Sequence, residues 1–120
     1  MAFSKDENGT ITLRQGDSGE IKINGLNPDY NYNVYFAIRD ENRELMFPEL
    51  MVEAAGADNV IFNLTAELTD NLVVPVDENY AIYYWGVKAV DTDTGEETTL
   101  LPELLGQQLM IVCPKIVEGV

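Results

Sequence analysis

Apolar and polar residues alternate along much of this chain. Ile11 and Leu13 sit among Thr10, Thr12 and Arg14, and Ile21 and Ile23 among Glu20, Lys22 and Asn24. A period of two residues sends successive side chains to opposite faces of a pleated backbone, so each run predicts a strand with one buried face. The pattern recurs with Val34, Phe36 and Ile38 against Tyr35 and Arg39, and with Val60, Phe62 and Leu64 against Asn63 and Thr65. In the longest run, "YAIYYWGVKAV" at 80–90, Ala81, Tyr83, Trp85, Val87 and Ala89 share a face opposite Lys88. That pattern predicts a central strand carrying the only tryptophan. The closing run "QLMIVC" at 108–113 is apolar on both faces, as a strand covered on both sides would be.

Turn-forming segments punctuate these runs, among them "DENGT", "QGDSG", "NGLNPDYN", "AAGADN" and "DTDTGEE". Gly supplies positive φ in such places, and Asp and Asn bond their own backbone, so these stretches predict tight returns. Helical signal is confined to "LTAELTDNL" at 64–72, which could hold a turn or two and reads equally well as a strand running into a loop. Evenly spaced short strands with polar turns predict one all-β domain over residues 1–120, either an antiparallel sandwich or a small barrel.

Composition narrows the partners. The 120 residues include 21 Asp+Glu against 7 Lys+Arg, for a net charge of −14. Phosphate neutralisation needs clustered Lys and Arg, so nucleic acid is not an expected partner, nor is an anionic membrane surface. No apolar run approaches the roughly 18 residues of a membrane helix. No apolar segment of the secretory type follows Met1, and a soluble protein made in the cytoplasm is expected.

Catalytic chemistry finds little to work with. Histidine is absent, so the usual base of a nucleophilic triad is missing. Cys113, the single cysteine, lies in "MIVCPK" and reads as a small core residue with an inert thiol. The many carboxylates fall in turns or on polar strand faces, where they are ordinarily solvated, and a non-enzymatic protein is the expectation. Calcium stays open at Asp91, Asp93, Glu96 and Glu97 within "AVDTDTGEET". Counted from Asp91 as an EF-hand loop, Gly95 falls at the fifth position and Pro102 at the twelfth, where an oxygen ligand and a bidentate Glu belong. A hairpin turn returning at Thr94-Gly95 is the simpler reading. Tyr30 and Tyr32, beside Asn31 and Asn33, are candidates for stacking on a sugar ring. Together with Tyr35 they are candidate anchors for a protein partner.

Taken as one pattern, "ITLRQGDSGEIKI", "VYFAIRD" and the stretch from "NVIFNLT" through "TTLLP" resemble the immunoglobulin-like domain of phage and prophage tail and baseplate proteins. The closest type is the amino-terminal domain of baseplate upper proteins. The segment "TTLLPELLG" runs longer than the family pattern, with Gly106 displaced. The resemblance implies an immunoglobulin-like antiparallel β-sandwich of about 7–9 strands. It also implies a structural role among other tail or virion proteins, with homo-oligomerisation open. It carries no catalytic residue and no required cofactor. Localisation would be the virion tail after synthesis in the bacterial cytoplasm. Tyr80, following "VDEN" at the start of the long strand, would stand where such sandwiches place a corner tyrosine, with Ile82 in the place of the second cysteine of antibody domains. The alternative function is a β-sandwich module that binds carbohydrate or a cell surface, with or without calcium.

Overall fold

The computed structural model describes residues 3–102 and 108–117. Nine strands and one short helix follow in order. They are β1 (Ser4–Lys5), β2 (Ile11–Arg14), β3 (Gly19–Asn24), β4 (Asn31–Arg39), β5 (Leu50–Ala55), β6 (Asn59–Leu64), α1 (Ala66–Asp70), β7 (Ala81–Asp91), β8 (Glu97–Leu101) and β9 (Leu109–Cys113). The larger sheet runs β1-β2-β9-β7-β4-β5, with β8 also paired to β7. The smaller sheet is the antiparallel pair β3-β6.

The alternation predicted the inward faces. Val34, Phe36 and Ile38 of β4 are fully buried, and Tyr83, Trp85, Val87 and Ala89 of β7 lie beside them. Ile21 and Ile23 of β3 and Val60, Phe62 and Leu64 of β6 close the core from the other side. Phe36 is its centre, with its ring centroid 5.3 Å from Phe62 across the sandwich and 5.7 Å from Trp85 on the neighbouring strand. Aromatic pairs at such separations add about 0.5–1.5 kcal/mol each beyond area burial.

This is an immunoglobulin-like β-sandwich: β9 and β8, β7, β4 and β5 form one layer in the order of such domains, and β3 with β6 forms the other. One pair departs from the expected antiparallel order. β2 runs parallel to β9, because the first long strand lies alongside the last instead of returning through a hairpin. The strand flanking β7 comes in two pieces, β9 against Ala81–Tyr84 and β8 against Val87–Val90, with a bulge between Val87 and Lys88. The Trp85 N–H donates to Gln108 O at 3.0 Å where the pieces meet.

Three details differ from expectation. β9 is not covered on both sides. Met110 and Val112 are buried, but Leu109, Ile111 and Cys113 point to the outer face, over which the described residues place no second layer, and are half-buried. Cys113 is therefore not a core residue. The corner tyrosine is Tyr83, whose hydroxyl donates to Val73 O at 2.5 Å, while Tyr80 is half exposed. Two residues beyond Tyr83, Trp85 takes the place of the second cysteine of antibody domains. Strand β5, whose apolar positions do not alternate cleanly, gave no period-two signal and forms by pairing with β4.

Helix α1 starts at Thr65, whose Oγ1 accepts from the Leu68 N–H at 3.2 Å, as an N-cap should. Its Thr69 is buried and ties the helix to the β2–β3 turn. The hydroxyl donates to Asp17 O at 2.7 Å and accepts from the Gly16 N–H at 3.1 Å.

Candidate binding groove

The candidate tyrosines do not form one surface. Tyr32 occupies an even position of β4 and turns inward with Val34 and Phe36, half-buried against the core. Tyr30, in the preceding turn, meets it edge-on at 6.3 Å between ring centroids. Tyr35, at an odd position, points to the opposite face of the sheet. Period-two geometry separates residues whose closeness in sequence suggested a single anchor.

The acidic candidates lie in the β7–β8 hairpin, and their local bonds explain the turn. Asp91 continues the inward face of β7 and is 9 % exposed. Its Oδ1 accepts from the Asp93 N–H at 2.8 Å and the Thr94 N–H at 3.3 Å. The Asp91 N–H reaches Glu96 O at 2.9 Å, closing the hairpin, and Gly95 takes φ 77°. Glu97 is turned to Lys88 across the strands, with Nζ 2.6 Å from Oε1. Asp93 and Glu96 are exposed. Among the described residues, no group of three or more acidic, histidine or cysteine side chains converges as a metal would require.

A different place has the shape of a site. On the outer face of the larger sheet, Ala37 of β4 stands opposite Gly86 of β7. One row away along the strands Tyr84 pairs with Arg39, and one row the other way Lys88 pairs with Tyr35. Rows on one face of a strand are about 7 Å apart, so two small residues floor a dip between two larger rows. Thr99, Leu101 and Pro102 wall the β8 side, and Glu49 and the 40–43 turn wall the other. The resulting groove holds about 860 Å³. Gly86 suits the close approach of β8 there: a Cβ on it would lie 3.0 Å from Leu101 O, a tight contact that the neighbouring backbone would have to relieve.

The groove is held in shape by its own polar groups. Asp40 Oδ1 accepts from the N–H groups of Asn42 at 2.8 Å and Glu44 at 3.0 Å, fixing the turn in which Arg43 adopts φ 66°. The Arg39 guanidinium donates through Nη1 to Arg43 O at 2.8 Å, which directs it along the 40–43 turn. The bond to Glu97, and the negative charge of Glu97 and Glu49, hold the Lys88 ammonium above the usual lysine range. Sequence reading identified Tyr35 but not Tyr84 or the Ala37–Gly86 pair. The signal was two small residues on outward positions of adjacent strands, and it becomes visible only once the register is known.

No protein-family model matches the sequence, and comparison with curated proteins gives no match. Thirteen chains of solved structures do match in fold. One is the periplasmic chaperone SfaE, at a TM-score of 0.60 and 10% identity over 95% of this chain. This chain spans 59% of the length of that one. At so low an identity the likeness concerns the fold alone, and it agrees with the immunoglobulin-like sandwich defined by the strand order.

Proposed function

We propose that this chain is a non-enzymatic assembly component of a phage or prophage tail, acting by docking onto other virion proteins. The observation that carries the docking mechanism is the free edge of β6. Strand β6 pairs only with β3, and the smaller sheet has no further strand among the described residues. Sheet edges are ordinarily guarded by charge, proline or bulges, because unpaired N–H and C=O groups recruit other strands. β3 carries Glu20 and Lys22 and β5 carries Glu53, whereas β6, "NVIFNL", has no charged residue and leaves Ile61 42% exposed. An unguarded edge of this kind suits strand addition, in which backbone bonds supply affinity and alternate side chains supply selectivity. The tail setting rests on the sequence resemblance.

Particles induced from a strain that encodes the chain, banded in a density gradient and analysed by mass spectrometry, test the reading. The chain is expected to co-purify with tail proteins, and its gene to neighbour those for a tape-measure protein, holin or endolysin. Intact particles that lack the chain refute the assignment. Sedimentation of the purified protein across a concentration series separates self-association from docking on a different partner.

A further inference from the structure

We infer that the groove over Ala37 and Gly86 is a binding site for a neutral oligosaccharide, independent of the tail assignment. Its volume of about 860 Å³ lies within the range of ligand pockets, roughly 300–1,000 Å³. At least one face of a pyranose ring presents C–H groups that pack on aromatic and small apolar groups, and its rim carries hydroxyls. The groove offers both kinds of contact. Tyr35 and Tyr84 are half-buried on the outer face, one at either side of a floor made by Ala37 and Gly86. A phenol ring packs on the ligand while its hydroxyl stays available for hydrogen bonding.

Charge decides against the other ligand classes. Arg39, Arg43 and Lys88 line the groove together with Asp40, Glu41, Glu49 and Glu97. These charges nearly cancel, and Lys88 and Glu97 already neutralise each other. A phosphate or sulfate ligand would need an excess of donors, and would also approach a chain of net charge −14. A basic peptide would need an excess of acids inside the groove beyond the four against three found there. Hydroxyl groups both donate and accept, so a mixed, balanced set of guanidinium, ammonium, carboxylate and Thr99 hydroxyl can satisfy them without leaving a buried charge unpaired. Arg39 is directed by its bond to Arg43 O, which reduces the ordering needed when a ligand binds.

The test is calorimetric titration of the full chain with neutral gluco-, galacto-, manno- and xylo-oligosaccharides, and with sulfated and uronic-acid counterparts at equal concentration. Binding of at least one neutral series is expected, with sulfated chains at least tenfold weaker. Ala37→Trp, which fills the floor, and Tyr84→Ala are each expected to weaken binding at least tenfold. Tyr30→Ala, on the other side of the sheet, should leave it unchanged. Thermal melts confirm that each variant folds, and Tyr35→Ala replaces any that does not. Absence of binding to every neutral series overturns the proposal. So does native-like affinity in the groove variants, a preference for the anionic series, or loss of binding in Tyr30→Ala. Binding of a basic peptide at the same residues would assign the groove to a protein partner instead.

Discussion

Replacing Tyr83 with phenylalanine isolates one hydrogen bond at the corner of the sandwich. The hydroxyl donates to Val73 O at 2.5 Å and clamps the loop after α1 onto the start of β7. The ring stays packed in the variant, so the loss is confined to the bond. An intramolecular hydrogen bond of this type contributes about 1 kcal/mol net. Val73 is 59% exposed and its bond to Tyr83 is only part-buried, which keeps the cost near that figure. For a domain of this size, 1 kcal/mol corresponds to a fall in Tm of about 4 °C.

The same hydroxyl also leaves a mark on pH dependence. Burial, and secondarily the negative charge of Asp40, raise the Tyr83 pKa above its ordinary 10.0. As pH climbs past 10.0 the unfolded phenol ionises while the folded one keeps its proton. The unfolded state then binds fewer protons than the native state, so stability falls through that window, up to the raised folded value. The phenylalanine ring of the variant has no proton to lose and escapes this fall. Urea unfolding followed by Trp85 fluorescence, at about pH 7 and about pH 10.5, should show a stability gap that narrows at the higher pH. Equal midpoints at neutral pH, or a gap that widens with pH, would refute the reasoning.

Three further perturbations test other parts of the structure. Phe36→Ala empties the centre of the core between Phe62 and Trp85 and should cost about 3–5 kcal/mol, read from the urea midpoint, out of a typical total of about 5–15. Thr69→Val keeps the shape but strands Asp17 O and the Gly16 N–H, a loss of about 1–3 kcal/mol that should appear as a lower melting temperature. Millimolar calcium is expected to leave the melting temperature unchanged, because the Asp91 carboxylate is engaged by its own turn and Glu97 by Lys88. A clear rise would return Asp91, Asp93, Glu96 and Glu97 to consideration as ligands.

The inward faces of β2, β3, β4, β6 and β7 were legible in the sequence, since each is a property of one strand and its two-residue period. The Asp91–Gly95 turn was legible too, because its bonds are local. Everything that depends on two strands meeting had to wait for the tertiary structure. The parallel β2–β9 pair joins the two ends of the chain, and no local pattern specifies it. That Tyr83 rather than Tyr80 makes the corner bond depends on where the loop carrying the Val73 carbonyl comes to lie, which the pattern of β7 itself does not state. Half-exposed Cys113 has a related cause, since the strand's own pattern does not say whether a second layer covers its outer face, whereas the separation of Tyr32 from Tyr35 follows from the two-residue period of β4 alone. The groove is the clearest case. Ala37 and Gly86 are ordinary small residues in the sequence, and only the pairing of β4 with β7 sets them side by side between Tyr84 and Tyr35.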